Sequence, residues 1–249
     1  MALRTVEAFE RAGLLAWPGI AVQWDGGWVC RSANGYTKRA NSLQCFDPED
    51  NADAAARLDR AVAWFAAQGL TPVVRTTPLE SPALTAAIDA RNWQTVGRSH
   101  LFAMSLEPHD PDPEGQTMPL LDPRFRAAQQ ALQGYEAAHL DRMQALLAVM
   151  SVPACGIVVY RDAVPAASGL MAIADGVVVA GNVITDPARR RQGLGAAMMR
   201  TGLAWARENG ASTAALNVEA DNFAGQALYR SLGYAHQYDY SYRIPGDAP

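Results

Sequence analysis

Val183-Ile184-Thr185-Asp186-Pro187-Ala188-Arg189-Arg190-Arg191-Gln192-Gly193-Leu194-Gly195-Ala196-Ala197-Met198-Met199 runs from an apolar strand through a cationic turn into a helix. Pro187 cannot extend a ladder, so the strand ends near Thr185. The helix that follows opens on two glycines. The first N–H groups of a helix lack intrahelical partners, and the helix dipole favours negative charge there. Gly193 and Gly195 let an anion approach the backbone closely, and Arg189, Arg190 and Arg191 add positive charge beside it. The pattern is that of a phosphate site. With no Lys-Ser/Thr after the glycines it is not a nucleoside-triphosphate loop, and without a third glycine it does not fit a dinucleotide fold.

About thirty residues downstream lies Asn222-Phe223-Ala224-Gly225-Gln226-Ala227-Leu228-Tyr229-Arg230-Ser231-Leu232-Gly233-Tyr234. The Arg-x-x-Gly-x-Gly of Arg190–Gly195 resembles the acetyl-CoA pyrophosphate loop of the GNAT superfamily of N-acetyltransferases. Asn222, Tyr229, Gly233 and Tyr234 match that superfamily's second signature, with Gly225 where alanine is usual. The resemblance covers roughly 156–243. It implies acetyl-CoA as cosubstrate and direct attack by an amine in a ternary complex. Val183, Ile184 and Thr185 would face the pantetheine arm, and Arg190, Arg191, Gln192, Gly193, Leu194, Gly195 and Ala196 would hold the pyrophosphate. Asn222 would contact the cofactor or cap the helix after it. Tyr229 would protonate the leaving thiolate.

The general base is less fixed by the pattern. Glu219, ending the strand before Asn222, is the leading candidate, with Asp186 and Asp221 as alternatives. A lysine-type amine costs roughly 4 kcal/mol to deprotonate at neutral pH and an α-amine about 1 kcal/mol, so the first needs a base more. A small-molecule amine and a protein amine both remain open as acceptor. A CoA-binding regulatory or scaffolding protein without turnover is the alternative reading, and a longer acyl-CoA donor is a third.

Working outward, strands and helices alternate across all 249 residues, and apolar residues at 49% supply a full core. The expected fold is an α/β (α+β mixed-sheet) chain of two tandem GNAT-like domains, each a mostly antiparallel twisted sheet flanked by helices. The two halves repeat their order of elements at an offset of about 141 residues. Five prolines in 107–123 predict a linker between domains 1–106 and 124–249. In the first half the phosphate loop falls on Glu49-Asp50-Asn51-Ala52-Asp53-Ala54, where acids replace arginines. Such a loop repels phosphate, so this half is expected to be degenerate, bracing the active half or shaping its acceptor pocket. Tyr36–Ser42 is polar enough to line that pocket, although a solvated hairpin is the plainer reading.

The net charge of −4 disfavours nucleic-acid partners, and no apolar run approaches the roughly twenty residues that span a bilayer. Arg4, Glu7, Glu10 and Arg11 interrupt what would be a signal peptide's core, so a cytoplasmic protein, monomer or homodimer, is expected. Cys30, Cys45 and Cys155 are too scattered for a disulfide framework. His100, His109, His139 and His236 show no metal spacing, and no metal is expected. Tyr238, Tyr240 and Tyr242 alternate along the last strand and share one face, either in the core or walling a substrate pocket.

Overall fold

The computed structural model describes residues 4–108 and 110–246. The first half contains α1 (Val6–Ala16), β1 (Ala21–Asp25), β2 (Trp28–Ser32), β3 (Leu43–Cys45), α2 (Ala54–Ala67), β4 (Val74–Thr76), α3 (Pro82–Asp89) and β5 (Gln94–Ser105). The second contains β6 (Gly115–Met118), α4 (Pro123–Gln133), α5 (Ala137–Ala148), β7 (Ala154–Arg161), β8 (Val164–Ala174), β9 (Val177–Thr185), α6 (Leu194–Glu208), β10 (Thr213–Glu219), α7 (Phe223–Ser231) and β11 (Ala235–Ile244).

Local chemistry sets most of these boundaries. Thr5 and Ser81 cap α1 and α3 by accepting from backbone N–H groups three residues on. The stretch 124–150, which the sequence leaves open as one or two helices, forms two, α4 and α5, because Gly134 takes a left-handed φ of 67° and ends α4. The β7–β8 hairpin turns on Asp162 and Ala163, both at positive φ.

All eleven strands form one sheet, in the order β1-β2-β3-β4-β11-β5-β10-β9-β8-β7-β6. This corrects the expectation of two separate tandem domains. The repeat is visible in the elements themselves: α3 and α7 start at Pro82 and Phe223, β5 and β11 at Gln94 and Ala235. Yet each half gives its last strand to the other. β5 pairs antiparallel with β10 of the second half, and β11 pairs antiparallel with β4 of the first. The two exchanged strands then pair with each other at the centre of the sheet. The stretch 107–123 is also more than a linker. Its β6 closes the sheet edge against β7, and Met118 and Leu120 are buried.

One apolar cluster joins α1, α4 and α5 to one face of the sheet, a second packs α6 and α7 on the other, and a third fills the first half around α2 and α3. Packing is tight where α4 meets β7. A Cβ added at Gly156 would lie 2.5 Å from the ring of the fully buried Phe125. Gly156→Ala is therefore expected to cost about 1–3 kcal/mol, lowering the melting temperature by about 2–12 °C in a chain of this size; a thermal melt reads this directly.

Candidate functional site

β9 and β10 run parallel, paired from Val177↔Thr213 to Ala180↔Leu216, and then part. Beyond that point β9 keeps its partner β8, but its other edge faces a cleft. Asn182 sits at the kink with φ 50°. It is held by its own amide donating to Tyr36 Oη at 2.7 Å and by Gln129 donating to its carbonyl at 3.2 Å. The result is an open stretch of backbone at Val183, Ile184 and Thr185, all half-buried.

The cationic turn sits at the mouth of this cleft. Asp186 accepts from the Ala188 N–H at 2.9 Å and pairs with Arg189, which also reaches Asp162. Asp186 and Arg189 thus shape the turn. Arg190, Arg191, Gln192 and Gly193 are exposed. Gly193 takes a left-handed φ of 80°, and no side chain caps α6. Nothing lies within 4 Å of where its Cβ would be. The first N–H groups of this helix, Leu194, Gly195 and Ala196, open into that space. At Gly195 the contact is close: a Cβ would stand 3.0 Å from Thr185 Oγ1 and 3.2 Å from Leu228. End of strand, start of helix and α7 converge there.

Tyr229 follows Leu228 and is buried beside Tyr234, ring centroids 6.1 Å apart. Its hydroxyl bonds to no described residue, and burial pushes its pKa up to about 12. It is therefore neutral at physiological pH and free to donate. Asn222 takes the capping role, its side chain accepting from the Gly225 N–H at 2.9 Å.

Glu219 ends β10 opposite Ser99 and is exposed where it lines a groove of about 270 Å³. Thr37, Lys38 and Arg39 line the same groove, as do Tyr240 and Tyr242. Within the polar stretch 36–42, Tyr36, Ala40, Asn41 and Ser42 are buried instead. Asp221 is not among the groove residues.

Beneath this wall lies a buried ionic network that sequence reasoning did not find. Glu10 accepts from Arg75 through both oxygens, and from Gln44 at 2.7 Å and Tyr238 at 2.7 Å. Arg75 lies 3.6 Å from the centroid of the Tyr240 ring and donates to Tyr242 Oη. Of the alternating tyrosines, Tyr238 joins the core cluster, while Tyr240 and Tyr242 also border the groove. Burial raises the Glu10 pKa, but the charge of Arg75 and hydrogen bonds from Arg75, Tyr238 and Gln44 outweigh it, leaving the carboxyl below its usual range. Scattered over positions 10, 31, 44 and 75, these residues carry no spacing signal; their only advance sign was a charged Glu10 among the buried residues of α1.

The first half repeats the left-handed helix entry without the cationic loop. Asp53 precedes α2 at φ 49° with no side-chain cap. Asp50 is turned inward, accepting from the Gly27 N–H at 2.8 Å and from both terminal nitrogens of Arg57. Arg57, foremost by hydrogen bonding, holds the Asp50 carboxyl below its usual range.

Two of the histidines come together in the fold without a spacing that announces it. β5 and β11 bring His100 and His236 to Asp239, whose Oδ1 lies 2.6 Å from both rings. His100 alternates with Ser99, so this trio lies on the sheet face away from the groove. Hydrogen bonds from His236 and His100 hold the Asp239 carboxyl low. His109 lies outside the described residues. Cys30, Cys45 and Cys155 are free and buried, and burial pushes the Cys155 thiol up to about 12, against a nucleophilic role. Among the described residues no helix is long and apolar enough to cross a membrane.

Comparison with known proteins agrees with this geometry. Residues 4–243 match the family described as probable histone acetyltransferase Rv0428c C-terminal. The probable histone acetyltransferase Rv0428c of Mycobacterium tuberculosis is 31% identical over 67 residues, which are 27% of this chain and only 21% of that protein. The uncharacterized N-acetyltransferase YobR of Bacillus subtilis is 23% identical over 248 residues, covering 96% of this chain and 98% of that one. A solved structure described as a GCN5-related N-acetyltransferase from Kribbella flavida is alike in fold, with a TM-score of 0.74 at 22% identity over 99% of this chain and 98% of that one.

Proposed function

The chain belongs to the Rv0428c C-terminal family and has the GNAT acetyltransferase fold, and we propose that it moves the acetyl group of acetyl-CoA onto a primary amine by direct attack in a ternary complex. The observation that carries this reading is the uncapped start of α6, opening beside the gap between β9 and β10. Backbone N–H groups of 193–196, with Arg190 and Arg191, suit a pyrophosphate. The free edge of Val183–Thr185 suits the amides of the pantetheine arm, and a donor there also suits the oxyanion that develops at the thioester carbonyl.

The residues divide the proton traffic. The amine nitrogen forms the new C–N bond and gives its proton to Glu219, directly or through a water. The C–S bond breaks with its electron pair on sulfur, which meets the Tyr229 hydroxyl. At a pKa of about 12 this phenol gives up its proton reluctantly, so its main contribution is a strong hydrogen bond to the developing thiolate. The first half holds no cofactor, because inward-turned Asp50 and the acids beside it take the place of the cationic loop. Its part is to brace the sheet and to wall the acceptor groove.

Calorimetric titration of the full chain with CoA is expected to give one site per chain. Free thiol release with amines should give intersecting initial-rate lines. A second CoA per chain would overturn the degenerate first half, and parallel lines would overturn the ternary complex. CoA binding with no turnover on any amine would instead favour a regulatory protein.

A further inference from the structure

The acceptor groove, as the outer recess, and a smaller inner recess share Arg39 and Asn217 in their walls. Arg31 and Arg75, 2% and 3% exposed, lie in the inner one, and Lys38 with Arg39 borders the outer one. Their counter-charges do not balance. Glu10 is engaged bidentately by Arg75. Among the described residues Arg31 donates only to neutral groups, the Trp17 carbonyl at 3.1 Å and the Gln44 amide oxygen at 3.3 Å. Arg39 stacks over Trp17 at 4.7 Å and pairs with no carboxylate among the described residues. The Nε atoms of both Arg31 and Arg39 are buried without a partner. Three guanidinium groups thus share one carboxylate at a place where water is scarce, and an uncompensated charge there is costly.

An anion entering from the groove relieves that cost. Glu219 sets its form, being the only acidic residue among the described residues that line the outer recess. A cationic group belongs on that side and an anionic group on the other, within a space that suits a molecule of amino-acid size. A dianionic phosphate would be repelled by Glu219, whereas a single carboxylate fits the planar guanidinium fork.

We infer that the acceptor is an amino carboxylate, its carboxylate held by Arg39 and Lys38 while its amine faces Glu219. This deepens the acetyltransferase reading and rests on it. It makes the first half of the chain a specificity element: the cations come from there, the reacting groups from the second half.

The test compares L-amino acids with their carboxamides, and adds spermidine, phosphoethanolamine and a lysine-rich peptide. Thiol release from acetyl-CoA and calorimetry on the CoA-saturated full chain are the readouts. At least one amino acid is expected to exceed its carboxamide about tenfold or more in kcat/KM and in affinity, the size of a charge-assisted contact. Arg39→Gln should collapse that ratio, and Lys38→Gln, at an exposed position, should reduce it. The inference is overturned if a carboxamide, spermidine, phosphoethanolamine or the peptide is preferred. It is equally overturned if no amino acid binds better than its carboxamide, or if both substitutions leave the ratio unchanged. Failure of the acetyltransferase reading shows separately, as absence of heat in the prior titration with CoA alone or as CoA binding with no thiol release on any amine.

Discussion

Tyr229→Phe is expected to lower kcat about 100-fold while leaving CoA affinity within about twofold. The hydroxyl is the only polar atom lost, and it supports no described part of the fold. The ring stays packed against Tyr234, so the cluster under α6 and α7 keeps its shape. The effect falls on turnover because a sulfur carrying negative charge exists only as the C–S bond breaks. Steady-state kinetics with a calorimetric CoA titration separates the possibilities. Unchanged kcat with weakened CoA binding would assign Tyr229 to the cofactor's seat. A loss much beyond 100-fold would point to full proton transfer from the phenol despite its raised pKa.

The second large effect is on stability. Glu10→Gln keeps the shape and two hydrogen-bonding atoms but leaves Arg75 and Arg31 buried with no negative charge. Removing one partner of a buried pair costs about 3–5 kcal/mol, which in a chain of this length lowers the melting temperature by about 6–20 °C. The pH dependence carries its own sign. The carboxyl is held below its ordinary value in the folded chain, so its contribution is fully present above the unfolded carboxylate range. It is lost as pH falls through the depressed folded value. The gap between wild-type and Glu10→Gln melting temperatures should accordingly be widest near neutrality and narrow on strong acidification. A gap under 2 °C at pH 7 would show that the network is held by packing rather than charge.

The strand, turn and helix proposed to hold the cofactor were legible because their chemistry is local. Pro187, Gly193 and Gly195 act within one turn, and the strand ends expected near Thr185 and at Glu219 are where the structure has them. The groove proposed for the acceptor was not. Arg39 and Glu219 line one groove only because the sheet is continuous across both halves, and no spacing announces that. The exchange of β5 and β11 escaped for a related reason. Offset and periodicity report which segments are strands, whereas the choice between an internal and a borrowed partner depends on contacts far apart in the chain. His100, His236 and Asp239 met unannounced through the same pairing, across a register shift in β11.

The crossed strands bind the fate of the two halves together. Cutting the chain within its proline-rich stretch would strip β10 of one neighbour and β4 of another, baring open hydrogen-bonding edges on both pieces. On the proposed reading, in which the first half holds no cofactor, its strands still cannot be dispensed with. Its side chains are freer to change than its backbone, and the groove wall is where such changes would retune which molecules are admitted.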